Sequence, residues 1–317
     1  MRTGYCKGVA AVKKDKTIEK EQTSSDGSRA IMKFRVSDVV IILIISILCL
    51  TCVLPFWHVA VKSISSNAAV ASNSVFLWPK ELSLAAFKQI IQDGELLHSM
   101  WFSFLVTAVF TALGMIVCTC AAYPLSRKRL KGRTVLTFLL MVPMYFSAGT
   151  LPTYLLYYKL KLIDNVWVLI LPLIYSAYNM MIMKNFFLST IPDELEESAS
   201  LDGASNFQIL FKIMLPLSKP ILATLSLFYA VGRWNAYSDN MYFTTKESLK
   251  LAQYKLYQMV LNSSDTIDMV GEMTVAKSSP AVLQAASIMV VTIPILVIYP
   301  FVQKYFVKGT MIGAVKG

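Results

Sequence analysis

The sequence predicts an all-α integral membrane protein with six transmembrane helices, and three observations carry the prediction. Of 317 residues, 56% are hydrophobic and only 15% charged, with a mean hydropathy of +0.56; a soluble domain runs about 45–50% apolar and about 25% charged. The apolar residues gather in long blocks without a full charge, and a helix needs only about 20 such residues to cross a hydrocarbon layer about 30 Å thick. The lysines and arginines, which give a net charge of +11, are shared unevenly among the segments between those blocks.

In chain order, residues 1–35 are polar, carry Lys13, Lys14, Lys16, Lys20, Arg29, Lys33 and Arg35, and show no sustained apolar period. They read as a mobile cytoplasmic tail. The rest, 36–317, reads as one membrane domain with spans at about 39–61, 99–125, 134–158, 165–188, 217–238 and 281–303. The first block exceeds the about 7–15 residues of a signal-peptide core and further spans follow it, so it reads as an uncleaved helix. The fifth is the weakest, because Arg233 interrupts it and Lys219 sits at its edge. Between spans one and two, residues 62–97 hold Trp78-Pro79 and a short interfacial helix over 84–91. Residues 159–164 make a tight turn. Within the connection 239–280, Leu249, Ala252, Leu256 and Val260 form a one-sided stripe that predicts a helix on the membrane surface or on a partner. Prolines at 55, 143, 152, 172, 294 and 300 fall in or near spans, where neighbouring helices must satisfy the freed carbonyls. That suggests helices packed around a cavity.

With the amino terminus inside, segments 1–38, 126–133, 184–219 and 304–317 hold about twice the lysine and arginine of the outer segments, which is the positive-inside asymmetry. Arg127-Lys128-Arg129, with Lys131 and Arg133, is the densest piece. The basic charge is therefore a topology signal and not a nucleic-acid footprint: a multi-pass protein of the cell membrane with both termini cytoplasmic. Cys49-x-x-Cys52 and Cys118-x-Cys120 lie inside apolar blocks without a histidine partner and read as small apolar fillers. No GxxxxGK[ST] loop is present, so ATP binding by this chain is not expected. Two histidines, His58 and His98, stand at span ends without a carboxylate cluster, and no Ser/His/Asp or HExxH arrangement occurs. Catalysis and metal binding are not expected.

The polar insert at 190–215 is the most informative segment. Pro192 suits a first helical turn, and Asp193, Glu194, Glu196 and Glu197 load that turn with negative charge, which the helix dipole favours. Leu195, Ala199 and Leu201 supply apolar contacts. Gly203 can take the positive φ that ends a helix, and Asp202 or Ser205 can cap the next one. Phe207, Leu210, Phe211 and Met214 then recur at helical spacing as an apolar stripe, and Leu215-Pro216 is expected to break the helix. A solvated loop has no need of that stripe; a docking surface does.

The pattern Glu197-x-Ala199-x-x-Asp202-Gly203-Ala204, followed by Ile213-x-Leu215-Pro216-Leu217-x-x-Pro220, resembles the EAA signature of binding-protein-dependent ABC importer permeases. Ser198 stands where that family more often has alanine. The resemblance implies a type I permease bundle whose cytoplasmic coupling helices insert into a cleft of the ATPase subunit. Glu197 would face a basic group there, Gly203 would form the turn, and Phe207 and Phe211 would enter an apolar groove. Glu194, Ala199, Asp202, Ala204, Leu215 and Pro216 complete the implied coupling set. Trp234-Asn235 and the tail 304–317 look like the carbohydrate branch, similar to maltose-type permeases of Gram-positive bacteria that work with lipoprotein oligosaccharide-binding proteins. The implied partners are an ABC ATPase homodimer that holds ATP and Mg, a paralogous permease subunit for the second ATPase cleft, an extracellular solute-binding lipoprotein and an oligosaccharide. The chain itself would carry no cofactor.

An arginine inside a span marks a cavity, an ion pair or a substrate. Arg233 either reaches the headgroups or pairs with Asp239, or else it lines the translocation path with Trp234, Asn235 and Tyr237. The rival readings are an ABC permease for a peptide, polyamine or phosphonate, and a channel or scaffold without ATP coupling. The spans lack the acidic midplane of an ion-driven carrier.

Overall fold

The computed structural model describes residues 36–190, 192–265 and 278–314; the expected tail over 1–35 and the last three residues lie outside them. The chain divides into two units, 1–54 and 55–317. Among the described residues every element is helical, apart from one antiparallel bridge between Ser65 and Leu82.

The described part of the first unit is the opening stretch of α1 (Val36–Ser63), whose residues from Asp38 onward are long and apolar enough to span a bilayer. In the second unit, α2 (Asn67–Ala71) starts at a Ser66 cap, and α3 (Ala85–Asp93) ends at Gly94, whose φ of 67° lets the chain turn directly into α4 (Glu95–Ser126). At about 1.5 Å per residue, α4 is about 48 Å long, more than a bilayer core requires.

The third span departs from the single helix expected over 134–158. It breaks into α5 (Arg133–Tyr145) and α6 (Thr150–Lys159), set 111° apart. Gly149, at φ 82°, makes the corner. The fourth span is also broken. Two 3₁₀ turns, Val166–Leu169 and Leu171–Leu173, precede α7 (Ala177–Thr190) with a 46° bend. Three straight helices and three bent pairs can thus cross a membrane, six in all if each bent pair is one span.

The polar insert forms α8 (Asp193–Leu201) and α9 (Asn206–Ile209), the latter running on through a π turn at Leu210–Met214 into α10 (Leu215–Leu217). The expected break at Leu215-Pro216 falls later. Pro216 sits in the first turn of α10, where its missing N–H costs nothing, and the chain bends by 84° at Ser218 into α11 (Lys219–Asn235). Then come α12 (Ser238–Phe243), α13 (Ala252–Asp265) and α14 (Pro280–Ala314). The amphipathic stripe over 249–261 starts its α-helix at Ala252, and its inward face packs on the chain's own helices: Ala252 and Leu256 join Ile90, Leu96, Val282 and Ala286.

The central core joins α4, α7, the insert and α11 through Phe110, Cys118, Met180, Phe187, Ile209, Met214, Leu225 and Tyr229. Gly114 is a point of close approach between α4 and α11. A Cβ there would fall 2.8 Å from Cε1 of Tyr229, so the absence of a side chain lets the Tyr229 ring rest on the α4 backbone.

Candidate functional site

The insert is shaped by local rules. Pro192 (ψ 144°) leads into α8, whose first turn carries Asp193, Glu194 and Glu196. Asp202 closes α8, Gly203 takes φ 80°, and the Ala204 N–H returns to the Ala199 carbonyl at 3.0 Å. Ser205, not Asp202, caps the next helix. The Gln208 N–H donates to Ser205 Oγ, and the Ser205 N–H donates to Gln208 Oε1 at 2.8 Å, a complete capping box.

The apolar stripe splits into two rows. Phe207 and Phe211, four residues apart, face outward at 75% and 61% exposure, whereas Leu210 and Met214, also four apart, turn into the core. Leu201 was expected to pack and is 89% exposed instead. With Leu195 it extends the outward apolar surface. Glu194, Glu197, Asp202, Gly203 and Pro216 are exposed as well. Ala199, Ala204 and Leu215 pack against the core beneath, so they support the element and the others form its face.

Sequence reasoning missed what holds the insert in place. Glu196 is buried, and its Oε2 lies 2.8 Å from Arg127 Nη1 and its Oε1 2.6 Å from Arg129 Nη2. Arg129 Nη2 also donates to Asn206 Oδ1 at 2.7 Å. Lys128 Nζ meets Asp193 Oδ2 at 2.8 Å, and this hydrogen bond holds the Asp193 carboxyl below the usual carboxylate range. Arg127, itself buried, donates from Nε to Ser126 Oγ at 3.0 Å and lies over the Tyr123 ring. The loop after α4 therefore grips both α8 and α9, around a groove of about 640 Å³. The available signal was the match between a tribasic run in a short loop and an acidic helix start on the same side of the membrane.

The second site surrounds Arg233, which is 2% exposed. Its Nη1 and Nη2 donate to Asp239 Oδ2 and Oδ1 at 2.5 and 3.2 Å, a bidentate pair between α11 and α12. Its Nε–H is buried and finds no partner among the described residues. Arg233 lines a cavity of about 220 Å³ with Phe110, Ser176, Asn179, Tyr229 and Gly232, beside the broken start of α7. The four residues expected to line one path are not brought together. Trp234 faces a separate, apolar cavity of about 450 Å³ between α4, α11 and α14. Asn235 accepts a hydrogen bond from Gln253 at 3.4 Å, and Tyr237 stacks on Tyr257 of α13. No group of side chains able to hold a metal ion occurs among the described residues.

The family described as the binding-protein-dependent transport system inner membrane component matches residues 113–312, a span that contains the insert, the basic loop that grips it and Arg233. The chain belongs to this family. Among the permease's relatives, the polygalacturonan/rhamnogalacturonan transport system permease protein YtcP of Bacillus subtilis (strain 168) is 42% identical over 287 residues, covering 90% of this chain and 100% of YtcP. The melibiose/raffinose/stachyose import permease protein MelC of the same organism is 27% identical, over 83% of this chain and 91% of MelC. A chain in the crystal structure of a bacterial ABC transporter involved in the import of the acidic polysaccharide alginate matches with a TM-score of 0.78 and 32% identity, covering 86% of this permease and 99% of that chain. The permease is a multi-pass membrane subunit of an ABC importer, and its fold is the importer permease bundle.

Proposed function

We propose that this permease passes oligosaccharides, delivered by an extracellular solute-binding lipoprotein, across the cell membrane by alternating access. A separate ATPase homodimer binds ATP and Mg and hydrolyses the nucleotide, a paralogous permease fills the second ATPase cleft, and both termini lie on the cytoplasmic side. The observation that carries this reading is the insert itself, a capped two-helix element with Leu201, Phe207 and Phe211 facing outward. An exposed apolar surface beside acidic residues on an otherwise satisfied element fits a protein partner. In the ATPase cleft Glu197 and Glu194 would meet basic groups, with Asp202 and Gly203 at the turn, Pro216 at the rim, and Ala199, Ala204 and Leu215 supporting from below.

The ion cluster supplies the transmission. Closure of the ATPase pair displaces α8 and α9, and Glu196 and Asn206 carry that displacement through Arg127 and Arg129 to the end of α4. Helix α4 also walls the Arg233 cavity through Phe110. There Ser176, Asn179 and the spare Nε–H of Arg233 suit hydroxyl and carboxylate oxygens. Relatives named for polygalacturonan and for alginate support an acidic oligosaccharide. Trp234, Asn235 and Tyr237 flank this route.

The test is reconstitution of the permease with its ATPase, paralogue and binding protein in liposomes. ATP-dependent uptake of labelled oligogalacturonides is expected, and Arg233→Ala should abolish it while the ATPase still co-purifies. A complex that takes up no oligosaccharide with ATP, or a permease that retains no ATPase through purification, would overturn the reading.

A further inference from the structure

We infer that Arg133 of α5 and Lys184 of α7 hold the phosphate of one anionic phospholipid at the seam between these helices, on the insert's side of the membrane. The inference takes that side as cytoplasmic, as in the reading above, and gives the permease a lipid ligand that does not depend on its cargo.

The cations near the insert fall into two groups. Arg127, Lys128 and Arg129 each meet a carboxylate of Asp193 or Glu196. Arg133 and Lys184 form no ion pair among the described residues. Nη1 of Arg133 is buried and has no hydrogen-bond partner there. Lys184 Nζ donates to Thr137 Oγ1 at 3.4 Å, a long contact to a hydroxyl that itself donates to the Arg133 carbonyl at 2.8 Å. Both side chains are half-buried, and they are near enough for their like charges to act on each other. Two cations held together without a counter-charge repel, and partial burial weakens the screening that water gives. A buried guanidinium N–H without an acceptor leaves its desolvation cost uncompensated. One anion between the two side chains removes both faults.

Position says which anion. Arg133 opens α5, and Thr137 lies one turn further in. Lys184 comes about 9 Å before the Thr190 end of α7. The pair therefore stands where the helices enter the bilayer and not in open water beside the loop. Its borders are apolar: Leu136 shares a face of α5 with Arg133, Leu188 shares a face of α7 with Lys184, and both are exposed. A free phosphate ion gains nothing from such borders. A phospholipid puts its phosphate at the cations and its acyl chains along the leucines. Basic pockets between transmembrane helices on the cytoplasmic side take anionic headgroups in this way. A zwitterionic headgroup is disfavoured, because its own ammonium adds to the repulsion.

Native mass spectrometry of the detergent-purified full complex tests the site. Wild type should retain one phosphatidylglycerol per copy of this chain against a background of phosphatidylcholine. Arg133→Gln and Lys184→Gln should each weaken retention about fivefold, the effect of one cation near a membrane surface. Lys131→Gln, which removes an exposed cation from the same loop, should leave it unchanged. Equal losses from all three variants reduce the effect to general surface charge and overturn the site, and so does retention as tight as wild type in the Arg133 and Lys184 variants. Excess inorganic phosphate should not displace the lipid; displacement identifies a free-anion site and overturns the lipid. Lys184→Met distinguishes lipid from an acidic group on another subunit. With phosphatidylcholine alone, losing an unpaired cation should hold or raise the thermal midpoint of the complex. A lowered midpoint marks a protein carboxylate as the partner and overturns the inference. Uptake by the wild-type complex in liposomes reports on the importer reading separately, so either can fail without the other.

Discussion

Among the described residues the permease buries two arginine–carboxylate pairs, and they differ in what they join. Arg127 and Glu196 come from distant parts of the chain, and the pair recruits Arg129, Lys128 and Asp193, so that three cations and two carboxylates bind a loop to two helices. Arg233 and Asp239 are six residues apart, stand one to one, and link only adjacent helices. The first arrangement is a seam between elements and can transmit movement. The second places a neutral pair, with one N–H left over, beside a cavity. Burial and residue type are the same in both, and the role follows from which elements the partners belong to.

The largest expected effect tests the seam. Glu196→Ala leaves the buried Arg127 with only a 3.8 Å contact to Asp193, a loss of up to about 3–5 kcal/mol, read as a lowered thermal midpoint in detergent and loss of ATPase co-purification together. Its neighbour Glu197 is exposed, so Glu197→Ala should stay within about 0.5 kcal/mol of wild type in stability while still losing the ATPase. Equal thermal midpoints for the two variants would show that burial at Glu196 contributes nothing.

The comparison breaks most cleanly at the second pair. Asp239→Ala should also cost about 3–5 kcal/mol, but adding Arg233→Met to Asp239→Leu removes both charges from one local site and should recover most of that stability without restoring uptake. The matching double change at Arg127 and Glu196 removes the buried link and leaves only the exposed Arg129–Asn206 and Lys128–Asp193 contacts, so it should recover stability and still uncouple ATP hydrolysis from transport. If both doubles transport normally, neither pair acts in the mechanism.

Smaller changes sharpen the picture of the insert. Gly203→Ala meets no neighbouring atom, so its cost is the left-handed backbone alone, about 1–2 kcal/mol; a midpoint unchanged from wild type would mean the turn relaxes. Least of all, Lys128 lowers the pKa of Asp193, whose side chain is 43% exposed, and a solvent-screened surface pair of this kind contributes little. Because the folded-state value is depressed, that contribution is present above the ordinary carboxylate pKa of about 3.9 and fades as pH falls through the lowered value. The midpoint difference between wild type and Asp193→Asn should therefore be visible at pH 7, begin to shrink below about pH 4 and vanish only once the pH lies below the depressed value.

What the sequence disclosed, and what it hid, follows from the range of the interactions. Gly203 and the Ser205 cap act within a few residues, so their residue types alone announced the turn and the helix start. Spans two and six were visible from apolar length. The 111° corner near Gly149 was hidden because counting apolar residues ignores backbone direction, although Ser147-Ala148-Gly149 beside Pro152 was a turn signal. Arg233, Trp234, Asn235 and Tyr237 stand apart in the fold for a related reason. Successive residues on or just past a helix end point about 100° apart, so neighbours in sequence line different spaces. The burial of Glu196 depended on a loop far away in the chain, and an acidic first turn explained it well enough to stop the search.

The bare backbone of Gly114 beneath Tyr229 has a mechanical consequence. A rod held against a neighbour at one place and pushed at one end turns about that place, and its far end moves the opposite way. About 20 Å of α4 separates Gly114 from the Arg127 end and about 29 Å separates it from Glu95, so the two arms about this contact are unequal. If α4 pivots there, a small inward stroke at the short arm becomes a swing about 1.5 times larger, and outward, at the long one.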